Sequence, residues 1–88
     1  MEKLTIKLNN TEGLHARPAA LFVQIASKYQ SELEVEAHGV EVNGKSIIGI
    51  MSLGAFHGEE ITLTARGQDE KQMIQALKAL IEGEFKTY

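Results

Sequence analysis

The apolar residues of this chain recur with two different periods, and this pattern limits the fold more than any other feature. Four short segments alternate polar and apolar residues, as strands with one buried face do. They are Lys3–Leu8, Leu33–Ala37, Val40–Val42 and Glu60–Arg66. Two longer segments have helical spacing: one runs from Pro18 to Lys28–Tyr29, and the other opens at Gly67–Asp69 and ends near Gly83. The tail, Glu84–Tyr88, follows no period.

A seventh segment, Ile47–Leu53, is almost wholly apolar and could be either a buried strand or a short helix. Ser46 precedes it and is a residue type that caps helix starts, which favours the helix. The large apolar residues of this segment cannot all face inward on two helical turns, so part of it must be exposed. Exposed apolar patches usually contact a partner. The exposed members of Ile47, Ile48 and Met51 are the candidate partner-binding residues.

The two long helices each have a single apolar stripe, so they must cover the same face of the sheet. The predicted fold class is α+β: an open-faced sandwich in which two longer helices and one short helix cover one face of a four-stranded antiparallel sheet. A chain of 88 residues is too short to bury a second core. We therefore predict one domain over residues 1–88.

The composition argues against several classes of function. The net charge of −3 gives no general attraction to nucleic acid, and basic residues are not interleaved with aromatic ones. No apolar run approaches the roughly 20 residues of a membrane span, and the chain opens on a strand pattern rather than a signal peptide. The lack of cysteine excludes disulfides and suits a reducing compartment. We expect a cytoplasmic monomer without nucleic-acid or membrane partners.

The stretch Gly13–Ala20 carries the strongest candidate site. It joins a polar loop to the first helical segment, and Pro18 suits a first helical turn because amides there have no acceptor within the helix. His15 lies at or before that turn, beside the positive end of the helix dipole. Such a position binds anions, phosphate above all, and Arg17 adds a guanidinium suited to phosphate oxygens. The residues alone indicate an anion site, and the alternative is a solvated or capping histidine.

Two motifs resemble those of one known family. Gly13–Ala19 is similar to the phosphorylation-site motif of HPr, the histidine-containing phosphocarrier family of the bacterial phosphoenolpyruvate:sugar phosphotransferase system. Asn43–Gly54 resembles the serine site of that family and the short helix that follows it. The spacing of the motifs and the chain length also match. The resemblance covers essentially the whole sequence and implies an HPr-like fold.

The resemblance implies a carrier rather than an enzyme, with no cofactor and no metal. In this family the phosphoryl group is held on Nδ1 of the motif histidine, which is His15 here. Ala16 and Arg17 are then the candidate phosphate-binding residues. The group would come from enzyme I, itself charged by phosphoenolpyruvate, and pass to sugar-specific enzyme IIA domains. Ala20 is a further candidate partner-binding residue, although small residues in this turn also suit close packing on a sheet.

Ser46 is the candidate regulatory site. A role as helix cap is sufficient to explain its position. In many low-GC Gram-positive relatives, however, this serine is phosphorylated by a dedicated serine kinase/phosphorylase, which implies carbon catabolite repression through a transcription regulator. Phosphate would add about −1.5 to −2 charges beside the apolar short helix. The family often has alanine at Gly44 and methionine at Ile48, and these departures bear on which regulatory partner is recognised.

Other functions are compatible with the same residues. A paralogue of the same fold could serve a nitrogen-related or dihydroxyacetone-linked relay, although the serine motif is of the general type. A regulatory paralogue without the active histidine is disfavoured by His15 itself. A phosphatase that passes through phosphohistidine needs a second acid or base near His15, and the sequence has no clear candidate. A ligand-binding regulatory domain would use His15 and Arg17 only to hold an anion.

The remaining polar residues are predicted to have structural roles. His38 and His57 lie in turns without acidic or thiol companions at ligand spacing, so we predict solvated side chains rather than metal ligands. The pair Glu59–Glu60 is predicted to be a solvated strand entry rather than an acid–base pair. Asp69 and Gln72 have the spacing of a capping box at the start of the last helix.

Overall fold

The order of strands and helices is the one that the sequence predicts. The computed structural model describes residues 1–86. Its elements are β1 (Glu2–Lys7), α1 (Ala16–Ala26), β2 (Glu32–Ala37), β3 (Val40–Asn43), α2 (Ile47–Ser52), β4 (Glu60–Arg66) and α3 (Glu70–Glu82). The strands form one antiparallel sheet in the order β1-β4-β2-β3. The predicted α+β open-faced sandwich is confirmed.

Strand β4 lies at the centre of the sheet because it pairs with β1 on one side and β2 on the other. Leu63 stands opposite Leu4 on β1 and opposite Val35 on β2, so one apolar row crosses three strands. Leu63 and Val35 are fully buried. Since side chains alternate along a strand, their neighbours Thr62 and Thr64 lie on the opposite face.

That opposite face of the sheet is polar. The hydroxyl groups of Thr5 and Thr62 are 2.9 Å apart, and Arg66 Nη1 donates to Glu34 Oε1 at 2.8 Å. A hydrogen bond with Glu41, followed by the contact with Arg66, lowers the pKa of Glu34. The same hydrogen bond, followed by the negative charge of Glu34, raises the pKa of Glu41. This face therefore satisfies its polar groups across neighbouring strands.

The apolar face of the sheet packs against α1 and α3. Phe22 of α1 and Leu77 of α3 are fully buried in the same hydrophobic cluster as Leu63. Burial of a side chain of this size stabilises the fold by about 1.5–3 kcal/mol. The buried residues of α3 recur at helical spacing and are Met73, Ile74, Leu77, Leu80 and Ile81. Neither these helices nor α2 is long and apolar enough to span a bilayer, and no other helix lies in residues 1–86.

Helix α1 ends two to three residues before the predicted end near Lys28–Tyr29. Its last residue is Ala26, and the chain then turns, with Tyr29 N–H donating to the Ala26 carbonyl at 3.2 Å. Lys45 Nζ donates to the Tyr29 carbonyl at 2.7 Å. A lysine from the β3–α2 turn thus places its positive charge near the negative end of the α1 dipole.

The start of α3 differs from the predicted capping box. The Asp69 carboxylate accepts hydrogen bonds from the backbone N–H groups of Gln30 and Ser31, each at 2.9 Å, and from the Ser31 hydroxyl. These bonds lower the pKa of Asp69, and the Ser31 hydroxyl is the largest cause. Within the described residues, Asp69 makes no capping bond to the first turn of α3. The Glu70 carboxylate instead accepts a hydrogen bond from the Gly67 N–H at 3.0 Å. The capping-box prediction is wrong because the fold brings donors from the loop after α1 to this carboxylate.

The segment after α3 folds back onto the core. Phe85 is only 2% exposed, and its N–H donates to the Leu80 carbonyl at 2.9 Å. Glu84 and Phe85 both have a left-handed backbone, with φ of 57° and 60°. The tail that the sequence left without structure therefore supplies a core side chain, while residues 87–88 lie outside the described residues.

Candidate functional site

His15 immediately precedes α1, and its side chain is exposed. Its backbone is extended, with φ −135° and ψ 157°, and within the described part of the chain its imidazole makes no capping bond to the helix. The first four N–H groups of a helix lack acceptors within it. The first turn of α1 also carries no acidic residue to offset its positive dipole end. The structure therefore places the predicted histidine at a helix start that favours anions.

Ala16 begins α1 in an unusual backbone conformation. Its φ is 53°, in the left-handed region. This conformation costs a non-glycine residue about 1–2 kcal/mol. Such strain persists only where the surrounding structure imposes it, and it is common at functional sites. Here it falls between His15 and Arg17, the two residues predicted to carry the chemistry.

The loop before His15 is held against the segment that follows α2. Leu14 N–H donates to the Ala55 carbonyl at 3.0 Å, and the Leu14 side chain is buried. Gly13 has φ 62°, and a Cβ atom there would lie 2.7 Å from Phe56 Cα and closer still to the Ala55 carbonyl oxygen. Only glycine permits both the conformation and the approach. His15 thus follows directly on a residue anchored in the core.

Arg17 lies on the first turn of α1 and contacts the segment that follows α3. Its Nη1 is 3.5 Å from the carbonyl oxygen of Phe85, and the side chain of Phe85 is buried in the core. Arg17 therefore links the start of α1 to the segment after α3. The sequence does not indicate this link, because it depends on the unpredicted position of Phe85. The roles of Ala16 and Arg17 in binding phosphate stay predictions.

A groove of about 430 Å³ runs beside His15. It is lined by Thr11, Glu12, Leu14, His15, Met51, Gly54, Ala55 and Phe56. The fold thus brings His15 and Met51 to one groove. Of the other predicted partner-binding residues, Ile48 is 79% exposed, Ile47 is exposed and Ala20 is half-buried. The expected exposure of α2 is present, and the docking roles of these four residues stay predictions.

Phe56 is a further candidate that the sequence analysis treated only as part of a turn. It is 60% exposed and lines the same groove as His15. Its backbone N–H donates to Glu59 Oε1 at 2.6 Å, which fixes the turn that carries it. A large aromatic residue in a short turn was the available signal. Its position beside the histidine could not be read from the sequence.

Ser46 caps α2, as the sequence predicts. Its hydroxyl oxygen accepts a hydrogen bond from the Gly49 N–H at 3.0 Å. The residue is half-buried, and the next two residues are the exposed Ile47 and Ile48. A negative charge at Ser46 would therefore lie at a helix N-terminus and beside an apolar surface. Its phosphorylation stays a prediction.

The two other histidines have partners that the sequence analysis did not predict. His38 Nε2 is 3.0 Å from Glu59 Oε2, although both side chains are partly exposed. His57 Nδ1 is 3.2 Å from the backbone carbonyl oxygen of Asn10. His38 and His57 are exposed, as predicted, and Glu59 is half-buried, but the fold gives each of them a partner from a turn distant in sequence. Within residues 1–86, no group of three or more potential ligand side chains could hold a metal ion.

Comparison with known proteins agrees with this arrangement. A family described as the PTS HPr component phosphorylation site matches residues 2–83. The chain is 45% identical over 83 residues to the HPr-like protein Crh of Bacillus subtilis, covering 94% of this chain and 95% of that protein. A crystal structure of HPr from Thermoanaerobacter tengcongensis has a TM-score of 0.96 and 52% identity, covering 100% of this chain and 99% of the other.

A second crystal structure is that of Bacillus subtilis Crh, described as a catabolite repression protein that forms a domain-swapped dimer. It has a TM-score of 0.76 and 41% identity, covering 99% of this chain and 100% of the other. The fold and the relatives define a class of protein, the small phosphocarriers. This chain belongs to the PTS HPr family. Its relatives include both HPr and Crh, and solved structures of each are described as dimers, so the predicted monomer stays a prediction.

Proposed function

We propose that this chain is the phosphocarrier of a sugar phosphotransferase system. It accepts a phosphoryl group on His15 from phospho-enzyme I, charged by phosphoenolpyruvate, and passes it to enzyme IIA domains. The proposal depends on one observation: the exposed imidazole of His15 stands at the start of α1, where no acidic residue offsets the dipole. Unpaired N–H groups and the positive helix end both favour a phosphoryl group there.

The transfer requires a lone pair on Nδ1 of His15, and hence a neutral imidazole. Nδ1 attacks the phosphorus atom of the donor's phosphohistidine in line with the leaving nitrogen. The new N–P bond forms as the old one breaks, and the electron pair of the broken bond returns to the donor nitrogen. The N–H groups of α1 stabilise the added negative charge, with Arg17 as a second positive group. No cofactor takes part, and the second transfer repeats the step with an enzyme IIA histidine.

Both partners must bring a reactive nitrogen to His15, so both must cover the groove beside it. Ile47, Ile48 and Met51 on α2, with Ala20 on α1, form the proposed docking surface. Its apolar side chains supply a contact that is independent of the phosphate. Because donor and acceptor use one exposed histidine in turn, we expect the carrier to work as a cytoplasmic monomer.

The test is to incubate the protein with enzyme I and phosphoenolpyruvate and to measure its intact mass. We expect one added phosphate that is acid-labile and that is absent from His15→Ala. His38→Ala is the matched control, since it removes another partly exposed imidazole and should leave phosphate uptake unchanged. No uptake by the wild-type chain would refute the carrier function and leave a module that only binds anions.

A regulatory function for Ser46 is supported by a separate observation. Its oxygen caps α2 and lies next to the exposed Ile47 and Ile48. Phosphorylation by a serine kinase/phosphorylase would place about −1.5 to −2 charges at the edge of the docking surface. We propose that this charge disfavours docking to enzyme I and favours a catabolite-control transcription regulator, consistent with the catabolite repression role named for Crh.

Ser46→Asp tests this switch without unfolding α2, because aspartate is also a good helix cap. We expect slower phosphate uptake from enzyme I, mainly through a higher KM. Ser46→Ala controls for the lost hydroxyl, and Gln75→Glu adds one negative charge on an exposed position of α3. Uptake by Ser46→Asp at the wild-type rate would refute the switch.

A further inference from the structure

Asn10 is an asparagine that the proposed chemistry does not use, although it lies in the loop leading to His15. It is only 6% exposed, and the described residues contain one other buried polar side chain, that of Ser31. Its Nδ2 donates to the Gly13 carbonyl at 2.8 Å, and the Gly13 N–H donates back to the Asn10 carbonyl at 3.3 Å. The two residues therefore close a small ring two residues before His15.

The backbone carbonyl of Asn10 also receives a bond from outside this loop. His57 Nδ1 lies 3.2 Å from it, so the ring donates its Nδ1 proton to that oxygen. His57 belongs to the turn after α2, whose Ala55 carbonyl accepts from Leu14. Two hydrogen bonds thus hold the loop before His15 against that turn. One of them ends on the Asn10 carbonyl, and the Asn10 side chain links this residue to Gly13.

The burial of Asn10 also has a cost in stability. Among the residues that the structure describes, its Oδ1 is buried and has no hydrogen-bond partner. An unsatisfied buried acceptor is unfavourable. Local features that cost stability in this way are typical of functional sites. An alanine at this position would remove both the favourable Nδ2 bond and the unfavourable buried oxygen.

We propose that Asn10 is a positioning residue for the phosphoryl acceptor: it fixes the Gly13 carbonyl and thereby holds the imidazole of His15 ready for transfer. This inference rests on the proposed function of His15. Asn10 contacts neither the phosphoryl group nor a partner, because its side chain is buried and lines no part of the groove. Its effect should therefore fall on the transfer step and not on docking.

The test compares Asn10→Ala with Asn9→Ala, a matched control that removes the same side chain from the exposed neighbouring position. For phosphate transfer from enzyme I, we expect Asn10→Ala to lower kcat about three- to tenfold, the effect of one lost hydrogen bond, with KM unchanged. Asn9→Ala should match the wild type in both constants.

A second measurement does not require phosphate transfer. Amide hydrogen exchange of Gly13 and Leu14 should become about three- to tenfold faster in Asn10→Ala, while exchange in β4 and the urea midpoint stay near wild type. Unchanged kcat would overturn the positioning role, whether or not exchange accelerates. A uniform rise in exchange together with a lower urea midpoint would also overturn it, since that result marks a purely structural residue. Failure of the wild-type chain to take up phosphate would instead refute the proposed function.

Discussion

The substitution Gly13→Ala tests whether close packing of the loop against the turn after α2 creates the site. Gly13 has φ 62°, and its added Cβ would lie 2.7 Å from Phe56 Cα. Gly39 provides a matched control, because its φ of 76° is similar but nothing lies within 4 Å of a Cβ built there. Both substitutions force alanine into a left-handed conformation. Only Gly13→Ala adds a collision with backbone atoms, which cannot rotate away.

The expected magnitudes follow from this difference. The left-handed conformation costs alanine about 1–2 kcal/mol. Replacing glycine by alanine also lowers the conformational entropy of the unfolded chain, which offsets about 0.4–1 kcal/mol of that cost. Gly39→Ala should therefore lower the free energy of unfolding by about 1 kcal/mol. The collision at Gly13 adds about 1–3 kcal/mol, as other overpacked sites do. Gly13→Ala should lose about 2–4 kcal/mol and still fold, because domains of this kind are stable by about 5–15 kcal/mol.

The assay is urea unfolding of both variants, followed by circular dichroism, with phosphate uptake measured under folding conditions. The collision displaces the loop from Ala55, so the bond from Leu14 N–H should break. Gly13→Ala should then take up phosphate more slowly than its stability loss explains, while Gly39→Ala should transfer normally. Equal stability losses in the two variants, or normal uptake by Gly13→Ala, would refute the packing argument.

Two further predictions concern residues away from the site. At Gly44 a Cβ would lie 2.5 Å from Cγ of the buried Leu33, so Gly44→Ala should lower the free energy of unfolding in urea by about 1–3 kcal/mol. In a Leu33→Ala background the same substitution should cost much less. If the losses of the two single variants simply added in the double variant, this explanation would be contradicted. Hydrogen bonds from Ser31 and Gln30 lower the pKa of Asp69, so its contribution is present at neutral pH and is lost as the pH falls through that lowered value. Asp69→Asn should therefore be less stable than the wild type at pH 7 and should lose less stability than the wild type on acidification below about pH 4. Parallel plots of unfolding free energy against pH for the two proteins would contradict this prediction.

Local pattern was sufficient to predict the elements of this fold. The strand predicted at Glu60–Arg66 has those bounds in the structure, and the short helix begins directly after Ser46 as its capping role indicates. Alternation and capping depend only on neighbours in sequence. Strand order depends on more than neighbours in sequence. Strand β4 lies between β1 and β2 because of pairings that join distant parts of the chain. The same limit explains the error at Asp69, whose partners lie 38 and 39 residues earlier.

In the candidate site, too, the local motif could be predicted from the sequence and the contacts between distant segments could not. Its histidine, proline and arginine form one short motif, so the sequence could indicate an anion site at a helix start. The surroundings of His15 also include two segments that are distant from it in sequence. Ala55 and His57 follow α2, Phe85 follows α3, and each contacts the loop or the first turn of α1 only in the folded chain. A periodic pattern contains no information about such contacts.

The departures from local preference at this site support a function there more strongly than the motif does. Other left-handed residues lie where turns and helix ends commonly use that conformation, such as His38 in the β2–β3 hairpin. Ala16 instead adopts it at the start of a helix, and six residues earlier Asn10 buries an unsatisfied oxygen. Each feature costs stability that an ordinary loop and helix start would retain. Their occurrence on either side of Leu14 and His15 supports the proposal that this part of the fold positions the imidazole.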